Sequence, residues 1–467
     1  MNKIHFLRAV WNDVILIESD GLYGLIDTGI KEAYELRIRP YFQEIGLERL
    51  EFILITHFHR DHYGSLPAIL RDYPVGTVYM KGFSGLNSST SNGRQATDEY
   101  NRTESALCAD MCEQARNVSN LVMIDESLEH VRLGDFDFRV FGNTNAIREM
   151  YEDPASPYKG QIRFGENTNS AALFCRLNGT NIYLGGDANN ESLDYPKYDR
   201  LNDQYCEAVK ALTDGPIDLM KAPHHLCGNL FSEEALAFYR PRYVVATNWT
   251  ASVYSQFKGN VNMLKAARED VRLLISDRCG YVFTLGTNGQ LSYEEIQKVP
   301  EITLEEIEPA ADDEAANERF AAELNEFWKL HIRYLIEDGI ISSAEDIDYF
   351  SGEEYRSVIE AHMKRDENRH HLAWFVREGK RIGACSYCIY DREDGKCFLL
   401  DFWVFKPYRG DGCGHHCVTA FFEHTKAQGA AYYELNCSLT DPTRFWKAHG
   451  FVENGEDEWG VPLFIRK

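Results

Sequence analysis

Glu51-Phe52-Ile53-Leu54-Ile55-Thr56-His57-Phe58-His59-Arg60-Asp61-His62 runs from a continuous apolar stretch straight into a set of metal-ligand side chains. A short apolar run of this kind reads as a strand covered on both faces. In extended chain His57 and His59 project to the same side. Asp61 and His62 follow in a turn that opens a helix. Imidazole and carboxylate are the common ligands of zinc, and they also serve manganese and iron. A chance His-rich loop has no reason to follow a buried strand in this order.

The segments around this motif continue the pattern. IHFLRAV, DVILIES and YGLIDTG precede it as short β-type runs, and ALFCRL, NIYLGGD, YVVATN and YVFTLGTNGQLSYEEI follow. Residues 94–118 read as a helical insertion. The polar stretches 84–118 and 145–165, which carry Tyr and Arg, are candidate walls for a substrate. The texture changes at 298–318, which is rich in carboxylates and reads as a solvated linker. From Arg319 the spacing predicts helices over FAAELNEFWKLHIRYLIEDG and EEYRSVIEAHMKR. Strands, a Gly-rich turn and further helices follow.

Composition narrows the classes. The chain has 467 residues, 44% of them hydrophobic, with 26 Tyr and 26 Phe. That is enough for two cores and excludes a disordered chain. A net charge of −24 repels phosphate backbones and anionic lipid. It counts against nucleic acid as a partner, although one basic cleft can sit on an acidic body. Arg8 and Asp13 interrupt the apolar core that a signal peptide needs. No run approaches the roughly 20 apolar residues of a membrane span. The twelve Cys form no paired CxxC motifs. They read as reduced core thiols of a cytoplasmic protein.

The first 297 residues resemble the metallo-β-lactamase superfamily. Besides His57–His62, the resemblance rests on Gly24-Leu25-Ile26-Asp27-Thr28-Gly29, Leu184-Gly185-Gly186-Asp187 and Ala222-Pro223-His224-His225, in the family's order. It implies an αββα sandwich holding two divalent ions, zinc first. The implied ligands are His57, His59, Asp61, His62, Asp187 and one of His224 or His225. His225 is favoured, with His224 near the leaving group. Asp61 and Asp187 also count as catalytic candidates, and Asp27 is implied to orient a ligand. Where the family places a further His, this chain has Asn167-Thr168-Asn169-Ser170. Water or Asn169 then completes one subsite, or one ion is held weakly. The wording around GLIDTG, ENTNSAALF, LGGD and PHH is similar to the competence-type and phosphorylcholine-esterase-type branch, which implies phosphodiester hydrolysis. Two cations would lower the pKa of a water and take up charge on a phosphoryl oxygen.

In the rear half, Val404-Phe405-Lys406-Pro407-Tyr408-Arg409-Gly410-Asp411-Gly412-Cys413-Gly414 ends a strand and opens a helix. Glycines let the backbone approach a pyrophosphate, and free N–H groups at a helix start attract it. This motif, with Arg444-Phe445-Trp446-Lys447-Ala448-His449-Gly450-Phe451 downstream, resembles the GNAT N-acetyltransferases over residues 319–467. The resemblance implies an α+β domain that binds acetyl-CoA through Val404, Phe405 and Arg409–Gly414. Trp446 stands where the family often has a Tyr acid, and Trp cannot donate a proton to a thiolate. Asn436 matches a residue that binds cofactor or positions the acid. Asp401, read at the start of its strand, is either a base or a strand-edge charge. His415 and His416 read as surface residues.

The expected protein is thus a two-domain α/β chain: a metal-dependent hydrolase acting on a small molecule, fused to an acetyl-CoA-dependent N-acetyltransferase. The alternative is that one half has lost catalysis and serves as a binding or acetyl-CoA-sensing module.

Overall fold

The computed structural model describes residues 1–91, 93–309, 314–409, 412–437 and 440–467. The chain divides into two compact units, Met1–Val299 and Pro300–Lys467.

The first unit holds two sheets. One runs, edge to edge, Leu291–Ile296, Gly280–Leu285, Asn2–Phe6, Ile15–Ser19, Leu22–Ile26, Leu50–Ile55, Val75–Met80 and Asn120–Met123. The other runs Arg272–Ile275, Tyr243–Ala246, Leu219–Lys221, Thr180–Leu184, Ala172–Leu177, Phe136–Phe141 and His130–Leu133. Strand alternation sorts the side chains into layers. Phe52 and Leu54 join Ile4, Ile15, Phe138, Ile182 and Val245 between the sheets. Ile53 and Ile55, pointing the other way, meet Ile38, Phe42, Leu66 and Met111 from the helices outside. Tyr183, Met220 and Val244 of the second sheet meet Leu201, Leu236 and Leu264 on its outer side. The result is the four-layer αββα sandwich expected from the sequence. The insertion forms one helix, Asp98–Val118, opened by the Thr97 side chain accepting from the Tyr100 amide.

The second unit carries one sheet in the order Ile302–Glu306, His370–Arg377, Lys380–Tyr390, Lys396–Val404, Tyr432–Asn436, Pro462–Arg466 and Val452–Glu456. Leu324, Phe327 and Trp328 of the helix Glu314–Glu337 cover one face with Met363. Cys413, Cys417 and Phe421 of the helix Cys413–Ala427 cover the other, with Trp446.

Two expectations need correction here. The stretch 298–318 is not simply a linker. Ile302–Glu306 is an edge strand pairing antiparallel with His370–Arg377. Its acidic residues conceal a period of two: Ile302 is buried and Leu304 packs on the core, while Thr303 and Glu305 are exposed or half-exposed. Asp401 does not start its strand. It lies inside Lys396–Val404, beside a bulge where the register against Lys380–Tyr390 shifts between Ser386 and Tyr387.

Among the described residues, no helix is long and apolar enough to cross a membrane. All twelve cysteines are buried and none is joined in a disulfide.

Candidate metal centre and acetyl-CoA site

Strand ends build the metal centre. His57–His62 follows Leu50–Ile55. His59 is extended (φ −111°, ψ 148°) and caps the turn Arg60–Tyr63, which brings Asp61 and His62 round to the same volume. Asp187 follows Thr180–Leu184 through Gly186, whose φ is 48°. A Cβ there would lie 2.2 Å from the Ala171 carbonyl oxygen, so only glycine fits. His225 follows Leu219–Lys221. His224, His225 and Leu226 are all left-handed, with φ of 46°, 53° and 72°. Such backbone costs about 1–2 kcal/mol per residue and marks sites where the surroundings over-determine a geometry.

These segments bring Asp61, His62, Asp187 and His225 together, with one ligand atom from each lying within 4.8 Å of the others. His62 Nε2 is 3.1 Å and His225 Nε2 3.3 Å from Asp187 Oδ2, and His225 Nε2 is 3.3 Å from Asp61 Oδ2. His57 Nε2 lies 3.0 Å from His59 Nδ1 and 4.0 Å from Asp187 Oδ2. His59 Nε2, His62 Nε2 and Asp187 Oδ1 are buried without a hydrogen-bond partner. Buried polar atoms are rarely left so. These orphans, all nitrogen or carboxylate oxygen, fit a divalent ion of the zinc, manganese or iron type.

Two of the imidazoles, His62 and His225, are steered from behind. His62 Nδ1 is 2.8 Å from Asp27 Oδ2, and Asp27 accepts from the Thr56 amide and hydroxyl. His225 Nδ1 is 2.8 Å from Thr247 Oγ1 and 3.2 Å from Asp13 Oδ1. His224 is turned away, its Nδ1 2.8 Å from Asn189 Oδ1 and its Nε2 3.0 Å from Asn167 Nδ2. Asn169 does not stand in for the missing His. Its oxygen accepts from the Ile147 amide and its nitrogen donates to Glu166, which fixes it away from the centre. Ser170 sits there instead, its hydroxyl accepting from the Asp187 amide and 3.4 Å from His57 Nδ1.

Electrostatics divide the imidazoles. Burial, with the neighbouring imidazoles, pushes His57 well below the ordinary histidine value and His59 down to about 4. Burial also works against protonation of His62 and His225, but the surrounding carboxylates, Asp187 foremost, outweigh it and hold both well above. Nearby, burial raises Glu166 to about 7. Glu166 accepts from Ser84 and Asn87, tying the two candidate wall segments together.

The rear site is arranged differently. Lys396–Val404 pairs parallel with Tyr432–Asn436 only from Lys396 to Leu399. Beyond that the two strands part, and Leu400–Val404 leads into the helix Cys413–Ala427, capped by Gly412 at φ 72°. Gly410 and Asp411 lie outside the described residues. The Arg409 side chain is not presented to a pyrophosphate. Its Nη1 and Nη2 fork onto Asp338 at 2.9 and 3.0 Å, and its Nε donates to the Val404 carbonyl. Asn436 donates to Asp457 at 2.9 Å. Asp401 Oδ2 is 3.2 Å from His331 Nε2. His416 is buried rather than on the surface, and His415 is half-buried with its ring 4.7 Å from that of Phe445. The helix turns the His415 ring towards Phe445 and His449. Trp446 is buried against Phe402 and Phe451.

Sequence reasoning missed Asp13, Lys221, Thr247 and Asn189. The available signal was a charged Lys ending the apolar run Leu219-Met220, and Asn12-Asp13 leading into a buried strand.

Fold and sites together define a metallo-β-lactamase-fold unit followed by a GNAT-fold unit, each resembling a family of enzymes. Residues 12–85 match the family model of the metallo-beta-lactamase superfamily, and residues 337–451 that of the acetyltransferase (GNAT) family. Endoribonuclease ysh1 of Schizosaccharomyces pombe is 26% identical over 179 residues, 38% of this chain and 20% of that protein. The anti-Pycsar protein Apyc1 of Saccharibacillus brassicae is 43% identical over 61 residues, 13% of this chain and 24% of that one. Cleavage and polyadenylation specificity factor subunit 3-I of Arabidopsis thaliana is 45% identical over 58 residues, 12% and 8% of the two chains. The matches therefore span a quarter or less of these relatives. Among solved structures, the metallo-beta-lactamase fold protein YhfI from Bacillus subtilis aligns over 63% of this chain and all of its own, with 10% identity and a TM-score of 0.34. The PaiA N-acetyltransferase of Thermoplasma acidophilum aligns over 36% of this chain and 99% of its own, with 14% identity and a TM-score of 0.28. None of these points to the phosphorylcholine-esterase branch. The endoribonucleases among the relatives remove the case against nucleic acid that the net charge made.

Proposed function

We propose that the chain is a bifunctional enzyme, a metal-dependent phosphodiester hydrolase joined to an acetyl-CoA-dependent N-acetyltransferase. The observation that carries the first half is the convergence of Asp61, His62, Asp187 and His225 with buried, unpartnered ligand atoms. His57, His59, Asp61, His62, Asp187 and His225 would hold two divalent ions. When bound, such ions supply Lewis acidity, activating water and taking up charge on a phosphoryl oxygen. The chain's own residues do the rest. Asp27 and Asp13 orient two imidazoles, and Asn167 and Asn189 hold His224 out of the ligand cluster. RNA joins the small phosphodiesters as a substrate candidate on the strength of the relatives. Twelve cysteines, none in a disulfide, support a reducing, cytoplasmic setting.

For the second half, the parting of two parallel strands at Leu399 beside a Gly-capped helix supports a cofactor held by backbone groups. Acetyl-CoA would supply the acyl thioester. Asp401, beside the bulge, would accept a proton from an acceptor amine.

Purified full-length protein should carry close to two divalent ions. It should hydrolyse a generic phosphodiester or an RNA oligonucleotide, lose that activity to a chelator, and bind acetyl-CoA in a calorimeter. Metal-replete protein inactive on every phosphodiester overturns the hydrolase reading. Absence of acetyl-CoA binding overturns the second.

A further inference from the structure

Asp13 and Lys221 form an ion pair buried to 1% and 0% side-chain exposure, with Lys221 Nζ 2.6 Å from Asp13 Oδ2. Pairs this deep add little net stability, because the lost hydration offsets the attraction. Their retention calls for another reason, and the geometry supplies one. Lys221 also donates to the Ala222 carbonyl at 2.8 Å, which anchors the ammonium at the root of the His224–Leu226 turn. Asp13 is delivered by a turn in which Trp11 is left-handed (φ 53°) and its amide donates to the Thr247 carbonyl. The Asp13 amide donates to the Asp61 carbonyl at 3.2 Å. Asp13 thereby joins two of the ligand-bearing segments, those of Asp61 and His225, to the Thr247 segment behind them.

The hydrogen-bond directions then fix a tautomer. Thr247 has one hydroxyl proton, and it goes to Asp13 Oδ1 at 2.6 Å. Towards His225 the Thr247 oxygen can therefore only accept, and so can the Asp13 carboxylate. His225 must carry its proton on Nδ1, 2.8 Å from Thr247 and 3.2 Å from Asp13. Its Nε2 is left facing Asp61 and Asp187, each at 3.3 Å. The arrangement parallels Asp27 behind His62, but the two carboxylates come from different turns and differ in their support. Asp27 is held by backbone and hydroxyl donors, and Asp13 by a buried cation.

We propose that Asp13, anchored by Lys221 and Thr247, is a positioning residue that holds the His225 ring with Nδ1 protonated and Nε2 turned to the divalent ion shared with Asp61 and Asp187. This rests on the metal centre of the hydrolase reading. Removing such a partner commonly weakens metal binding about 10–100-fold.

The test is a Zn²⁺ titration of the full chain against a competing chelator. Wild type is compared with Asp13→Asn, Asp13→Glu and Thr247→Val. The thermal midpoint of each metal-free chain is followed alongside. Asp13→Asn should lower the affinity of one metal equivalent about 10–100-fold, and Asp13→Glu should restore part of it. The metal-free midpoint should fall in Asp13→Asn, because Lys221 is left buried and unpaired, and the metal-bound midpoint should fall further. In Co²⁺-loaded protein the visible ligand-field bands should shift in Asp13→Asn, a change that loss of packing alone does not produce. Thr247→Val keeps the side-chain shape and should give a smaller loss of the same equivalent, which preserves the test if Asp13→Asn does not fold. Wild-type affinity for both equivalents in Asp13→Asn and Thr247→Val overturns the inference while leaving the hydrolase reading intact. A wild-type chain that takes up no Zn²⁺ overturns both.

Discussion

The two candidate sites differ in what their side chains are left to do. In the front unit, His59 Nε2 and Asp187 Oδ1 are buried with nothing to bond. In the rear unit the side chains proposed for the cofactor or for catalysis are already engaged. Arg409 holds Asp338, Asn436 holds Asp457, and Asp401 faces His331. A site that binds through side chains leaves vacancies that a structure displays. One that binds through backbone amides leaves its side chains free for scaffolding, and motif-reading then credits them with contacts the main chain makes.

That contrast can be broken most decisively at Asp187. Asp187→Ala should abolish hydrolysis and release metal on dialysis, read as metal content per chain, while acetyl-CoA binding by the same protein is unchanged. Retained activity would mean that the orphaned atoms are not the working ligands. Next in size is Asp401→Asn. Transfer should slow about 10²–10⁴-fold, the usual worth of a general base, with acetyl-CoA affinity held at the wild-type value by calorimetry. Equal losses in rate and affinity would instead give Asp401 a structural role.

Glu306 sharpens the comparison on stability. It accepts from His371, Tyr387, His424 and Gln428, and its side chain is 9% exposed. Burial works against its charge, but the bonds from His371 and His424 outweigh this and hold it well below the ordinary carboxylate value of 4.5. Such a group contributes stability that is present above 4.5 and is lost as pH falls towards its folded pKa. Glu306→Gln should therefore cost the second unit about 1–3 kcal/mol at pH 7. The gap in unfolding midpoint should close only in strong acid. A gap that is already closed at pH 5 would refute the arrangement. The smallest effect belongs to Arg409→Gln. An exposed fork of this kind is worth about 1 kcal/mol or less, so acetyl-CoA affinity should change no more than about fivefold. A hundredfold loss would show that Arg409 leaves Asp338 for the cofactor.

Much of this was legible in the sequence, for identifiable reasons. The ligands of the metal centre sit directly after buried strands, so motif order and apolar runs locate them together. Asp13 and Thr247 reach His225 from segments 212 and 22 positions away, and the one local sign of either is the polar pair Asn12-Asp13 ahead of a buried strand. The Glu-rich start of the second unit hid a strand because only Ile302 and Leu304 carry its apolar face. The bulge at Asp401 depends on pairing register, and pairing register is invisible along one chain. Trp446 and the buried His416 show the same gap, since which face of a helix meets a sheet is settled by the sheet.

The strand Ile302–Glu306 also governs how the halves can be taken apart. Cutting at Arg319, where the helical pattern begins, would strip the outermost strand and leave the amides and carbonyls of His370–Arg377 without their ladder partners. An uncapped, largely apolar edge of that kind recruits other chains. It would also leave His371 and His424 without the carboxylate between them. A fragment beginning at Pro300 keeps the edge closed, so insolubility of a shorter piece would report on where it was severed and not on whether the acetyltransferase half folds alone.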